Sequence, residues 1–257
     1  MLSSELFLLE PGMPLPAAES PKTPSAAEFM LEEEAPPVPN FGQGNRPDLY
    51  CPEIYMREAL NFSAFWQYAG TLDEAYRNEI PYWCIVWPGS RMLARYALDT
   101  DLPLKEKRVL ELGCGSGLAA VAFAKRGCEV TATDHDNQAL DVTAAMARRN
   151  GVELDTDGLE LFEDPEFFLP RIKPDIVILG DLFYEASVAD RARIWCLAAQ
   201  ELGAKCIVAD PCRTYGPGKN SQSWGLEIIS EAAVPVHAAI ENVKTRHTLL
   251  LASATQG

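Results

Sequence analysis

Continuous apolar runs alternate with amphipathic segments from about residue 107 to the end of the chain, and this alternation predicts an α/β fold. Runs that are apolar at every position, rather than at every second one, are typical of parallel strands covered on both faces. The predicted strands are 107–112, 128–133, 159–162, 175–180 and 205–209, with a closing pair at 236–243 and 247–253. The predicted helices are 89–98, 118–125, 137–150, 187–202 and 221–232.

The first predicted strand ends in a glycine-rich turn, within the run Val-Leu-Glu-Leu-Gly-Cys-Gly-Ser-Gly at 109–117. Glycine has no Cβ, so such a turn lets the backbone approach a ligand closely. In a dinucleotide-binding turn the third glycine would follow Gly113 and Gly115 at position 118. This chain has Leu118 there and Gly117 one residue earlier. The spacing favours another kind of nucleoside site, with a nicotinamide enzyme and a nucleotide-free domain as the alternatives.

Three carboxylates lie beside this turn or at the ends of later strands. Glu111 precedes the first glycine by two residues, where it would repel a pyrophosphate but suit a cationic amine. Asp134 follows the second strand, the position from which an acid binds ribose hydroxyls. Asp164 follows the third strand, where an acceptor for an adenine amino group and an ordinary surface acid are equally good interpretations. Together they indicate a nucleoside ligand that carries a positive charge.

A second group of candidate residues belongs to the same edge of the predicted sheet. Asp181 and Tyr184 directly follow the fourth strand, and ligands of such sheets bind beyond the carboxyl ends of the strands. Trp87 lies in the aromatic run Pro-Tyr-Trp-Cys-Ile-Val-Trp-Pro-Gly at 81–89. A flat ring can wall an adenosine or a methylene chain and can hold a cation by ~0.5–2 kcal/mol.

Charge and composition exclude several kinds of partner. The net charge of −15 argues against nucleic acid, because phosphate binding needs a face rich in Lys and Arg. Solubility and attraction to a basic, lysine-bearing protein both explain this acidity. No apolar run approaches the roughly 20 residues of a membrane span. His135 lies between two aspartates, but successive side chains point apart and no fourth ligand is in range, so no metal is expected.

Composition also divides the chain. Residues 1–47 are rich in Pro and Glu, which predicts a mostly disordered tail. Residues 48–105 are predicted to form a helical lid that includes the aromatic run, and 106–257 to form the core. The seven cysteines are scattered and the amino terminus lacks the basic flank of a signal peptide, so we expect reduced thiols in a cytoplasmic protein.

Several motifs carry a resemblance to a known family. They are Pro81-Tyr-Trp83 with Trp87-Pro-Gly89, the run at 109–117, Gly180-Asp181-Leu-Phe-Tyr184, Asp210-Pro-x-Arg213 and the closing segment at 243–248. With these motifs the chain, from about residue 50 onward, resembles the seven-β-strand S-adenosylmethionine methyltransferases. Within them it is similar to the lysine methyltransferases of the electron transfer flavoprotein beta subunit and their bacterial relatives.

The resemblance implies a Rossmann-like, seven-stranded class I methyltransferase sheet with helices on both faces and a C-terminal antiparallel hairpin. It implies a protein that binds S-adenosylmethionine and methylates an accessible lysine of a protein. We expect this protein to be a monomer. The implied catalytic residues are Asp181, for acceptor binding and orientation, and Tyr184. From these motifs and the strand ends together, the expected cofactor-binding residues are Trp87, Glu111, Gly113, Gly115, Gly117, Asp134, Asp164 and Asp181.

Two departures from the family pattern put the acceptor in more doubt than the reaction. Cys212 takes the place of an expected Gly, and Arg91 the place of an uncharged polar residue, both predicted to lie near the acceptor. A small-molecule N- or O-methyltransferase and a non-catalytic cofactor-binding protein are the alternative functions. The intact Glu111, Asp134 and Asp181 argue against the second alternative.

Overall fold

The computed structural model describes residues 46–72, 74–237, 240 and 242–254, so the predicted disorder of the tail concerns residues almost wholly outside this part. A small antiparallel pair precedes the main sheet: β1 (Arg46–Pro47) and β2 (Tyr55–Met56). The strands of the main sheet are β3 (Arg108–Leu112), β4 (Glu129–Asp134), β5 (Asp155–Gly158), β6 (Ile176–Gly180), β7 (Lys205–Asp210), β8 (Leu226–Pro235) and β9 (Thr245–Ser253).

Within the described residues, these seven strands form one sheet in the order β5-β4-β3-β6-β7-β9-β8. Strands β3 to β7 are parallel, and β9 pairs antiparallel with both β7 and β8. The strand order reverses at β3, next to β6, which is where ligands bind in open sheets of this kind. The predicted sheet with a closing antiparallel hairpin is confirmed.

Helices cover both faces of the sheet, as predicted. They are α1 (Phe62–Leu72), α2 (Pro88–Asp99), α3 (Leu118–Lys125), α4 (Asn137–Arg149), α5 (Pro165–Ile172) and α6 (Ala186–Glu201). One buried cluster joins α2, α3 and α4 to the sheet and the other joins α5 and α6 to it. Successive strand residues such as Val109 and Leu110 therefore belong to different clusters, because their side chains leave opposite faces.

Three predicted elements at the sheet edges were wrong. The third strand is β5, not 159–162; as an edge strand exposed to solvent it has the polar sequence Asp-Thr-Asp-Gly. The predicted helix 221–232 is a 3-10 turn, Ser221–Trp224, which Gly225 ends at φ +64 before β8 begins. The strand predicted at 236–243 lies earlier in the chain: it is β8, which begins at Leu226 and ends at Pro235. Residues 238, 239 and 241 of the predicted range lie outside the described part.

The segment before the sheet packs as part of the same core. Arg91 in α2 is buried, with Nε 2.8 Å from Asp48 Oδ2 and Nη2 3.0 Å from Glu58 Oε2. Its Nη1 donates to the carbonyl of Pro235 at 3.2 Å. Arg91 is thus a structural residue inside the fold, and its predicted place beside the acceptor was wrong. Among the described helices, none is both long and apolar enough to cross a membrane.

Candidate active site

The glycine-rich turn connects β3 to α3 and forms one wall of a cavity of about 540 Å³ at the carboxyl ends of β3, β4 and β6. Its three glycines have φ of +68, +52 and +81, a left-handed region that other residues enter at a cost. A Cβ on Gly117 would come within 2.6 Å of Thr143 Oγ1, whereas one on Gly115 would meet nothing within 4 Å. Gly113 and Gly115 line the cavity, and Gly117 packs behind it.

Asp134 lines the cavity at the end of β4, as predicted for a residue that binds a ribose. Its Oδ2 accepts a hydrogen bond from the N–H of Gly115 at 2.9 Å, which ties the carboxylate to the turn. Its Oδ1 lies 3.3 Å from His135 Nδ1, and this contact raises the pKa of the His135 imidazole to about 9. A partly buried acid with two fixed neighbours is a preorganised acceptor for hydroxyl donors.

Glu111 does not line the cavity, although it precedes the turn by two residues. It is buried under α3, where it accepts a hydrogen bond from the backbone N–H of Ala120 in the first turn of that helix. Burial raises the pKa of its carboxyl group well above the usual value. Within the described structure its Oε2 has no hydrogen-bond partner. Glu111 therefore caps the first turn of α3, and one of its carboxylate oxygens, Oε2, is buried there without a hydrogen-bond partner among the described residues.

Asp164 also lies outside the cavity lining. It is the N-cap of α5, and its Oδ1 accepts a hydrogen bond from the N–H of Glu166 at 3.0 Å. The segment from Leu159 to Phe162 lines this end of the cavity instead. These residues were predicted as a strand, and no motif distinguished them as a binding surface.

Asp181, directly after β6, is held by contacts from two other elements. Its Oδ2 accepts from the N–H of Gly89 at 2.7 Å, at the start of α2. Its Oδ1 lies 2.8 Å from Arg213 Nε and 2.7 Å from Arg213 Nη2. Asp181 has φ +60, an uncommon backbone conformation for a residue with a side chain. The carboxylate predicted to hold the acceptor is therefore already paired with a cation.

Arg213 comes from the loop after β7, and the sequence marked it only as the last residue of the motif Asp210-Pro-x-Arg213. Its own N–H donates to Asp210 Oδ1 at 2.9 Å, and Asp210 also accepts from the N–H of Gly218 at 3.0 Å. Burial raises the pKa of the Asp210 carboxyl group. The residue before Arg213, Cys212, has φ +57, which explains why glycine is expected at this position. The loop geometry aims Arg213 at the carboxyl end of β6.

Three aromatic rings form the wall beside Asp181. Tyr82 lies 5.7 Å from the ring of Trp87 and 5.3 Å from the ring of Tyr184, between centroids. The guanidinium of Arg213 lies 5.7 Å from the centroid of Trp87. Burial raises the pKa of Tyr184 to about 12 and also raises that of Tyr82, so both phenols are neutral at ordinary pH. Trp87 and Tyr184 were predicted as site residues, and Tyr82 was expected here only as a member of the aromatic run at 81–89.

A hydrogen-bond network joins the aromatic run to the segment after β4, beside Asp134 in the cavity wall. Asp136, two residues beyond Asp134, caps α4 and accepts bonds from Tyr76 Oη and Trp83 Nε1, each at 2.9 Å. The predicted lid and the carboxyl end of β4 are thereby fixed to each other. In the described residues no group of His, Cys, Asp and Glu side chains is suited to hold a metal ion.

Comparison with known proteins adds independent information. A family model described as ribosomal protein L11 methyltransferase (PrmA) matches residues 93–179. The electron transfer flavoprotein beta subunit lysine methyltransferase of Homo sapiens is 31% identical over 211 residues, 80% of this chain and 74% of the relative. The protein with that name from Xenopus laevis is 33% identical over 169 residues, 65% of this chain, and the match spans only 65% of that relative's length.

Among solved structures, a ribosomal protein L11 methylase from Lactobacillus delbrueckii subsp. bulgaricus is similar with a TM-score of 0.44 and 17% identity. That match covers 63% of this chain and 77% of the other.

Proposed function

Since the chain belongs to the electron transfer flavoprotein beta subunit lysine methyltransferase family, we propose that it transfers a methyl group from S-adenosylmethionine to a lysine side chain of a protein. One observation carries the proposal: Asp134 and Asp181 line a single cavity, and the glycine-rich turn lies in the same wall. Each residue is at the place where a sheet of this topology binds its ligands.

The residues of the cavity fit S-adenosylmethionine. The open face of Gly115 leaves room for the ligand against the backbone. Asp134 would accept hydrogen bonds from the ribose hydroxyls, and the apolar edges of Leu159 and Leu161 would cover the adenine. The cavity volume of about 540 Å³ is within the range of small-molecule sites. The lining holds the carboxylates of Asp134, Glu160 and Asp181 against the side chains of Arg213 and His135. This excess of negative charge suits a cationic ligand and disfavours a pyrophosphate.

When bound, S-adenosylmethionine supplies an electrophilic methyl group on a positively charged sulfur, open to in-line attack by a neutral amine. A free lysine has a pKa near 10.4, so about one in 10³ is neutral at pH 7. A lone carboxylate would stabilise the ammonium form, but Arg213 already compensates the charge of Asp181. The aromatic wall further disfavours a charged amine by removing water.

The part of Asp181 in this reaction is then to orient the acceptor rather than to abstract its proton. Its second oxygen, Oδ2, accepts a hydrogen bond from the N–H of Gly89, so the orientation of the carboxylate toward a ligand is fixed. Tyr184 and Trp87 would form the walls along the acceptor's methylene chain. Placing the two reactants correctly can supply ~7–11 kcal/mol of the barrier, which makes positioning the main source of catalysis.

We further propose that the acceptor is an electron transfer flavoprotein beta subunit, the protein named in the relatives. The exposure of the rim supports a protein acceptor over a small molecule: Tyr184 is 45% exposed beside Asp181.

We propose a cytoplasmic monomer. All seven cysteines lie in the described residues and none forms a disulfide, which agrees with a reducing compartment.

The test is transfer of a radiolabelled methyl group from S-adenosylmethionine to purified electron transfer flavoprotein beta subunit, followed by mass spectrometry of the labelled residue. Labelled lysine supports the proposal. In parallel, the same label is offered to a cell lysate, and labelling of small molecules without any protein would contradict it. Asp134→Ala should weaken binding of S-adenosylhomocysteine at least tenfold in calorimetry. Asp155→Ala, which changes an exposed acid of β5, is the matched control.

A further inference from the structure

We propose that residues 160–167, the acidic aromatic segment, form the surface on which the acceptor protein docks, and that the docking part of the acceptor is basic. The segment reads Glu-Leu-Phe-Glu-Asp-Pro-Glu-Phe and runs from the cavity into α5. This inference rests on the proposed function, because it assigns a binding surface to the protein acceptor of that reaction.

The first observation is the exposure of two large aromatic side chains on this segment. Phe162 is 58% exposed and Phe167 is 80% exposed. The next residue, Phe168, is buried against Trp195, with 5.9 Å between ring centroids, so the orientation of α5 is fixed by packing. Phe167 thus projects into solvent from an anchored helix. Large apolar side chains exposed to solvent next to a cavity are found at interaction sites.

The second observation is the charge of the segment. Four of its eight residues are acidic and none is basic. All four are exposed: Glu160, Glu163, Asp164 and Glu166. The guanidinium of Arg191, partly exposed on α6, donates to the backbone carbonyls of Leu161 and Phe162 and so holds the loop in place. The outward side chains form a negative surface that is complementary to a basic peptide.

The third observation is continuity with the reaction site. Phe162 itself lines the cavity, and Phe167 follows it by five residues. Five residues span at most about 18 Å, even when fully extended. An acceptor segment of comparable length can therefore place its lysine in the cavity and its neighbouring residues on Phe167 and Glu166. Lysine or arginine flanking the target, together with an apolar contact, is the chemistry that this surface would recognise.

Two substitutions outside the cavity test the inference: Phe167→Ala and Glu166→Lys. The matched controls are Leu202→Ala and Glu201→Lys, which alter an exposed apolar residue and an exposed acid at the end of α6. Steady-state methylation of electron transfer flavoprotein beta subunit is measured for each protein at 50 and 300 mM salt. Calorimetry with S-adenosylhomocysteine and the thermal midpoint show that folding and cofactor binding are intact.

We expect Phe167→Ala and Glu166→Lys each to raise KM for the acceptor about five- to twentyfold, with kcat within twofold of the parent protein. The KM of the parent should increase with salt, and Glu166→Lys should reduce this dependence. The controls should leave KM unchanged. Unchanged KM in both test variants would overturn the docking surface while leaving the methyltransferase proposal intact.

Two further outcomes would also overturn the proposed docking surface. A parent protein that elutes as a dimer, and becomes a monomer on Phe167→Ala, would show that a second copy covers this surface and would overturn the inference. If the parent and both control variants bind S-adenosylhomocysteine but methylate no protein, the proposed function itself fails and the docking surface fails with it. The behaviour of the controls distinguishes this result from loss of docking alone.

Discussion

Replacing Arg213 by Met tests whether the ion pair with Asp181 is part of the fold as well as of the site. The substitution keeps a long side chain beside Trp87 but removes the charge and both hydrogen bonds to Asp181 Oδ1, at 2.8 and 2.7 Å. The contact from the N–H of Gly89 to Oδ2 remains. The buried carboxylate would then have lost the cation that compensates its charge.

The expected cost follows from the exposure of the pair. Removing one partner of a fully buried ion pair costs about 3–5 kcal/mol, because the other charge is left uncompensated. Here the side chains of Arg213 and Asp181 are 16% and 8% exposed, so water from the cavity reaches the pair. We therefore expect a loss of ~2–3 kcal/mol in the free energy of unfolding, or roughly 4–12 °C in Tm for a domain of this size.

The assay is a double-mutant cycle of Arg213→Met, Asp181→Asn and the double variant, measured by urea unfolding. The double variant leaves neither charge uncompensated and should recover at least ~1 kcal/mol relative to the sum of the single changes. Arg213→Lys is a useful intermediate, since it retains the charge without the planar fork. A coupling energy below ~0.5 kcal/mol would refute the reasoning, as would an Arg213→Met protein as stable as the parent.

Three other substitutions have defined outcomes. Cys212→Gly should raise Tm by ~1–4 °C in calorimetry. Glycine relieves a left-handed backbone that costs about 1–2 kcal/mol, and its greater loss of backbone entropy on folding offsets about 0.5–1 kcal/mol of this gain; a lower Tm would contradict the prediction. Gly89→Ala should destabilise by ~1–3 kcal/mol, since its Cβ would lie 2.7 Å from the backbone nitrogen of Asp181; an unchanged urea midpoint would argue against the clash. NMR titration of His135 should give a pKa near 9; a value near 6.5 would contradict the contact with Asp134. Because the pKa of His135 is raised in the folded protein, its contact with Asp134 stabilises the fold below pH 6.5, and this stabilisation is lost as the pH rises through 9. The contribution is at most ~1 kcal/mol, since the His135 side chain is 62% exposed. His135→Gln should lack this pH dependence in urea unfolding.

The interior of the sheet could be predicted from the sequence and its edges could not. Strands β3, β4, β6 and β7 are covered on both faces, so a continuous apolar run marks them. Strand β5 is exposed and, within the described residues, is an edge strand paired with β4 alone, so its sequence is polar. The apolar residues just after it were mistaken for the strand. Strand β8 has side chains such as Ile228 and Ile229 exposed, and its spacing was mistaken for that of a helix.

For the site, the strand ends were predictable and the partners of each side chain were not. A carboxylate just after a parallel strand must lie at the ligand edge, which brought Asp134 and Asp181 into the cavity. The pairing of Asp181 with Arg213 joins residues 32 positions apart, and no local pattern encodes it. Glu111 shows the converse: its spacing from the glycines suggested a ligand contact, but its side chain turns beneath α3.

The buried guanidinium of Arg91 limits how this chain can be divided. It joins Asp48, near the start of the described residues, to the carbonyl of Pro235, at the end of β8. A fragment starting at residue 106 would lack Arg91 and the rest of α2, and would expose the apolar face of α3 that packs against α2. The lid is therefore no separable module. We expect proteolysis within 48–60 to unfold the sheet and expose it to further cleavage, because Arg91 joins this segment to the end of β8 in one cooperative unit.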